Sequence, residues 1–232
     1  MQNFKFTLRK MKPGTLPLFL TTLFVQLGCL LFFAIVGRYD QQDANALLTH
    51  YSAVIGLAST ATMCVLAIYG TVQINHLVVQ HYIGTFKQQT FLLPVDRKQL
   101  FTSRLTAFAV GLILVQLLGL LVANFLFILT ELFFPILLGS PWPYLNIFFQ
   151  SMLVCSGLTL VIVLFSSFVG IYMGSTTKGI IASLIFVVLL SNIAALSLIS
   201  FRLLTLLFTF FALVAAGVTG DLLGNAIEKA DA

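Results

Sequence analysis

Apolar positions in this chain do not alternate with polar ones. They come in long runs, at residues 16–37, 51–74, 105–129, 147–172, 179–199 and 203–220, none of which contains a charged residue. A hydrocarbon core about 30 Å thick is crossed by roughly 20 helical residues, and charge is excluded from it, so each run predicts a membrane-spanning helix. The expected fold class is therefore an all-α integral membrane protein of six transmembrane helices, residues 1–232 forming one domain. Ahead of the first run, Phe4, Leu8 and Met11 share one helical face while Lys5, Arg9 and Lys12 share the adjoining one, and Pro13-Gly14 is expected to end the pattern. Residues 1–14 thus predict an amphipathic interfacial helix with its cations among anionic headgroups. A cleavable signal sequence is the competing reading. It fits less well, because the first apolar run exceeds the roughly 7–15 residues of a signal core and no small-x-small site precedes Arg38.

Charge sets the orientation of these runs. With six crossings, Lys5, Arg9, Lys10, Lys12, Lys87, Arg97, Lys98, Arg104, Lys178 and Lys229 fall on one side and only Arg38 and Arg202 on the other. By the positive-inside rule the crowded side is cytoplasmic and both termini lie there, in a multi-pass protein of the cell membrane. Composition agrees: 59% apolar residues, 8% charged residues and a mean hydropathy of +1.07 lie far from the roughly 25% charge of soluble domains. The net charge of +5 does not indicate a nucleic-acid partner, since the cations flank apolar spans instead of lining one soluble face. Cys29, Cys64 and Cys155 lie inside apolar runs without metal-ligand spacing and read as packing residues.

No catalytic chemistry is legible. There is no His-Glu-x-x-His pair and no Gly-x-Ser-x-Gly elbow. The Gly174-Ser175-Thr176-Thr177-Lys178-Gly179 stretch is a tight interhelical turn, because a phosphate-binding loop needs its lysine after the second glycine and a strand leading in. The chain is expected to be a non-enzyme with no cofactor of its own. Within the spans, Gln26, Gln116, Asn124 and Asn192 are the main polar residues. They are candidates for lining a pathway and better candidates for joining helices, at about 0.6 kcal/mol per bond. Glu131, seven residues after Asn124, could meet a cationic cargo at the outer mouth, although a solvated interfacial carboxylate is the plainer reading. The polar tail of the second span, Gln73, Asn75, His76, Gln80 and His81, is expected to emerge into the cytoplasm. The absence of ionisable groups within the spans weighs against proton- or sodium-coupled transport.

The segment joining the second and third spans is too polar to cross a bilayer. It mixes Phe86, Phe91 and Leu92 with Lys87, Arg97 and Lys98. Pro94 predicts an elbow and Asp96 caps a helix beginning at Arg97. Two cations in the first helical turn oppose the helix dipole, so an anionic surface, either lipid or protein, is expected to face them; a plain solvated loop would explain them too. The stretch Phe-Leu-Leu-Pro-Val-Asp-Arg-Lys-Gln-Leu at residues 91–100 resembles the cytoplasmic segment between the second and third helices of ABC-2 type transporter permeases, as does the overall layout of the spans. Asp96 stands where that family often has serine or threonine. The resemblance implies that residues 80–100 form a coupling segment that docks on a separate cytoplasmic ATP-binding subunit, which would hold ATP and its magnesium. Thr85, Phe86, Lys87, Phe91 and Leu92 would make the contact, and Pro94, Asp96, Arg97 and Lys98 its exit. It further implies a second permease subunit, the same chain or another, and an exporter that moves an amphipathic or hydrophobic cargo such as a peptide or lipid.

Residues 131–146 are too apolar for a free loop and too broken for a straight helix. They predict a re-entrant or interfacial element at the outer face, anchored by Trp142 and Tyr144. Two other functions fit the spans: a non-transporting scaffold or sensor whose basic elbow binds a regulator, and a channel or facilitator that needs no nucleotide.

Overall fold

The structure, a computed structural model, describes residues 2–39, 48, 50–83, 97–137, 142–200 and 202–229; among these, the side chains of 2–13, 97, 193, 196–200, 202–205, 223 and 225–229 lie outside the description. Six long helices carry the described chain: α1 (Gln2–Tyr39), α2 (Tyr51–Leu77), α3 (Arg97–Phe133), α4 (Leu145–Tyr172), α5 (Thr176–Ser200) and α6 (Arg202–Lys229). Short 3-10 turns at Val79–Tyr82 and Trp142–Tyr144 are the other regular elements, and no strand occurs among the described residues. Four stretches, Gly14–Tyr39, Tyr51–Leu77, Lys98–Phe133 and Trp142–Tyr172, are long and apolar enough to cross a membrane, with shorter apolar stretches at Thr176–Asn192 and Leu206–Leu222. This is a membrane protein of all-α class.

α1 departs from expectation. It is one continuous helix through Pro13-Gly14, so no break separates an interfacial helix from the first span. Proline removes one backbone donor and normally costs about 3 kcal/mol inside a helix, but neighbouring helices commonly offset that cost in membrane proteins. Here the helix is braced just past the proline: a Cβ on Gly14 would stand 2.9 Å from the Gln73 carboxamide on α2. The side chains of Lys5, Arg9 and Lys12 fall outside the described residues. From Gly14 on, α1 buries every fourth residue, Leu18, Thr22, Gln26, Leu30 and Ala34. It turns Leu16, Leu20, Phe24 and Phe32 outward, as a helix with one protein face and one lipid face should.

α4 is the most enclosed helix and packs on α2, α3, α5 and α6. Glycines set the close seams. A Cβ on Gly119 of α3 would stand 2.8 Å from Thr22 of α1, and one on Gly157 of α4 would stand 2.5 Å from Thr209 of α6. α4 is terminated just past its Met173 cap by Gly174, whose φ of +62° is readily adopted only by glycine. There the Ser175 N–H bonds the Gly170 carbonyl and the Gly174 N–H bonds that of Ile171, the paired 6→1 and 5→2 bonds of a Schellman stop. The predicted tight turn before α5 is therefore present.

The interior falls into three apolar layers. Tyr82, Phe101, Phe108 and Phe168 fill one end, Met63, Leu120, Met152 and Leu158 the middle, and Tyr51, Ile55, Phe127 and Phe148 the other end. The first end gathers the start of α3, the end of α6 and the α4–α5 turn: Lys98 lies along Gly224, and Asn75 donates to the Thr176 carbonyl. Lys98, Arg104 and Lys178 therefore share this basic end, and Arg38, at the opposite end of α1, lies apart from them.

Candidate functional site

Polar side chains cross the interior between these layers as a ladder of rungs, and α2 contributes to every rung. Nearest the basic end, Asn75 Nδ2 donates to the Thr176 carbonyl of α5 at 3.3 Å. One turn deeper the hydroxyls of Thr71 and Ser166 on α4 pair at 3.0 Å. At mid-depth Gln116 Nε2 of α3 donates to Thr159 Oγ1 of α4 at 3.0 Å, and the Cys155 thiol donates to the Ser59 carbonyl of α2 at 3.3 Å. Next, Thr62 Oγ1 donates to Gln26 Oε1 at 2.7 Å while Gln26 Nε2 donates to Asn124 Oδ1 at 3.1 Å, so one rung ties α1, α2 and α3. At the far end the Tyr51 hydroxyl donates to Glu131 Oε2 at 3.1 Å.

Four of the five rungs are only partly satisfied. Asn75 Oδ1, Gln116 Oε1, Asn124 Nδ2 and Glu131 Oε1 are buried without a hydrogen-bond partner. A buried unpaired polar atom costs about 1–3 kcal/mol, so the ladder holds the helices in register at less than its full strength. Helices tied this way can change partners at low cost.

Of the predicted polar residues, Gln26, Gln116 and Asn124 lie in this ladder. Asn192 does not: it sits on the exposed face of α5 with Ile185, Val188 and Leu189 and donates only to the Val188 carbonyl of its own helix. Glu131 overturns its plainer reading. It is 4% exposed, and beyond Tyr51 its Oε2 accepts the backbone N–H groups of Ile136 and Leu137. A carboxylate seven residues from Asn124 lands on the same buried face of α3, and the chain after Phe133 folds back over it and supplies those donors. Leu137 is buried in the end layer, Tyr144 packs on Tyr51 at 5.2 Å between ring centroids, and Trp142 stands exposed. The apolar segment predicted from 131 to 146 thus closes one end of the bundle, residues 138–141 lying outside the described ones. The hydroxyl partners Thr62, Thr71 and Thr159 and the phenol of Tyr51 were not singled out in the sequence. For Thr62, Thr71 and Tyr51 the signal is the concentration of hydroxyls in the second span, which has the lowest hydropathy of the four long ones.

At the basic end the candidate docking residues Thr85, Phe86, Lys87, Phe91, Leu92, Pro94 and Asp96 lie outside the described residues, as does the side chain of Arg97. What is described is how their segment is held. α3 is described from Arg97 onward, the expected cap at Asp96 lying outside the described residues. Of the polar tail of α2, Asn75 is buried, Gln73, Gln80 and His81 are half-buried and His76 is exposed, while the interleaved Val78, Val79 and Tyr82 are buried. The 3-10 turn folds Tyr82 edge-on against Phe101 of α3, centroids 5.2 Å apart, and Val79 reaches Gly170 of α4. The burial of Val78, Val79 and Tyr82 seats this stretch on the bundle and leaves His76 outward. Burial pushes the Tyr82 phenol up to about 12, Arg104 opposing the shift. Both chain ends entering the segment at 84–96 are thus fixed to the bundle within one aromatic contact of each other.

No cluster of metal-ligating side chains occurs among the described residues. No protein-family profile matches the chain, and no curated protein and no solved structure is detectably similar to it.

Proposed function

We propose that the chain is the transmembrane subunit of an ABC-type exporter, with six spans, cytoplasmic termini and the basic end facing the cytoplasm. It pairs with a second permease subunit and moves an amphipathic or hydrophobic cargo outward, driven by ATP and magnesium bound on a separate subunit. The observation that carries this reading is the anchoring of the segment at 84–96. Its entry (Tyr82) and its exit helix (Phe101) touch each other, and α2 and α3, the helices that receive them, touch again at the opposite end through Tyr51 and Glu131. A push on the segment loads both helices at once. It is resisted by rungs worth about 0.6 kcal/mol per bond, so a partner that gains a few kcal/mol on ATP binding has enough to shear them. The last contact to part is Tyr51–Glu131, together with the segment that closes that end.

The ladder favours a second reading, a nucleotide-independent facilitator, because polar groups run from one end of the interior to the other. One experiment separates the two. The chain is purified with and without a candidate Walker-type ATPase subunit, and complex formation, ATPase stimulation and cargo flux in liposomes are followed. The exporter reading expects co-elution that is lost in Arg97→Glu/Lys98→Glu and in Phe86→Ala/Phe91→Ala, with flux only when ATP is supplied. If those variants leave co-elution and stimulation intact, the docking assignment fails, and flux without nucleotide selects the facilitator.

A further inference from the structure

At the basic end, a lateral groove of about 260 Å³ opens between α3 and α6. Leu105, Ala109, Leu164 and Ala216 make its apolar floor, and Thr102, Thr106 and Asp221 line its polar mouth. It is separate from the ladder, and neither proposed mechanism uses it. Gly217 explains why it is open: this residue faces outward, and a Cβ there would find no atom within 4 Å. Any larger residue would project into the space.

The mouth has a defined polarity. Thr102 Oγ1 donates its one proton to the Lys98 carbonyl at 2.9 Å, and Thr106 Oγ1 donates to the Thr102 carbonyl at 2.8 Å. Each hydroxyl therefore has only lone pairs left to offer. Asp221, exposed beside them, offers only acceptors when ionised. A mouth of three acceptors repels phosphate and carboxylate and gives a quaternary ammonium nothing to hydrogen-bond. It suits a primary ammonium, which brings three donors. The volume lies below the roughly 300–1,000 Å³ of sites that enclose small molecules, and the groove is open along its side. That shape takes a stretch of acyl chain whose head stays at the surface.

We propose that this groove binds an aminophospholipid of the phosphatidylethanolamine type from the leaflet at the basic end, its ammonium on Asp221, Thr102 and Thr106 and an acyl chain over Ala109 and Ala216. The site does not depend on the exporter reading, since it needs neither nucleotide nor a partner.

The test places the full chain in phosphatidylcholine nanodiscs doped in turn with photoactivatable phosphatidylethanolamine, phosphatidylcholine or phosphatidylglycerol, with crosslinks mapped by mass spectrometry. Labelling of the α3–α6 groove should be roughly tenfold higher with the ethanolamine probe than with the choline probe, the ratio worth one charge-assisted hydrogen bond. Asp221→Asn should bring the ethanolamine probe down to the choline level. Gly217→Leu, which meets no atom that would prevent folding, should reduce labelling by all three probes while the thermal melt is unchanged. Equal ethanolamine and choline labelling of the unaltered chain, a preference that survives Asp221→Asn, or an excess with phosphatidylglycerol would each overturn the proposal.

Discussion

Replacing Gln26 with leucine tests whether the ladder holds three helices together. The side chain is fully buried, accepts from Thr62 at 2.7 Å and donates to Asn124 at 3.1 Å. Leucine keeps the approximate volume and removes both bonds, about 1.2 kcal/mol at 0.6 for each. Thr62 suffers little, because its hydroxyl already reaches the Ala58 carbonyl of its own helix at 2.9 Å. Asn124 suffers more: its Nδ2 has no partner to begin with, and its Oδ1 would now lose its own, adding about 1–3 kcal/mol. The expected loss for Gln26→Leu is therefore about 3 kcal/mol. Asn124→Leu alone removes one bond and exchanges the Asn124 Nδ2 orphan for one at Gln26 Nε2, and should cost about 1 kcal/mol. The double variant removes every orphan of this pair, so it should be more stable than Gln26→Leu by about 1–2 kcal/mol. Reversible unfolding in mixed detergent micelles measures all three. A double variant as unstable as the sum of the singles would refute the reasoning, since the two amides would then not be acting on each other.

Two further outcomes follow from the packing. Gly179→Ala should destabilise by about 1–3 kcal/mol, because its Cβ would lie 3.0 Å from the Ser166 carbonyl oxygen and 3.3 Å from the Gly170 Cα, backbone atoms that cannot swing aside; Gly28→Ala, where nothing lies within 4 Å, should be neutral or stabilising by up to about 1 kcal/mol. Similar thermal melts for the two variants would contradict this account of the α4–α5 seam. Glu131→Ala should release the backbone of Ile136 and Leu137, and Trp142, the single tryptophan, reports it directly: its fluorescence anisotropy should fall and its collisional quenching rise, with a smaller effect from Tyr51→Phe, which removes one donor of three. Unchanged tryptophan signals in Glu131→Ala would mean that the carboxylate does not hold that segment.

The all-α class and the glycine turn at 174 were legible in the sequence because each depends on local chemistry: uncharged runs, and a residue free to take positive φ. The burial of Glu131 was not, because it depends on chain six residues downstream folding back to supply donors. Asn192 and Asn124 are the same residue type in similar apolar contexts, yet one faces outward and the other joins a rung. Only the packing of one helix on another decides between them, and uniformly apolar spans carry almost no periodicity to announce it. Pro13 failed as a stop signal for the same kind of reason, a contact made 60 residues away at Gln73 outweighing a local preference.

The dependence of every rung on α2 bears on how the chain is made. α2 is the least hydropathic of the four long spans, at 1.8 against 2.3 to 2.7, and Glu131, Ser166 and Thr176, which its polar groups meet, are all synthesised after it. During translation this helix would enter lipid with its threonine hydroxyls on its own carbonyls but with the Asn75 amide and the Tyr51 phenol still without their later partners. Its insertion must therefore wait for, or be chaperoned until, the arrival of later helices, and a ribosome stalled before α4 should leave a nascent chain that membrane quality control recognises and degrades.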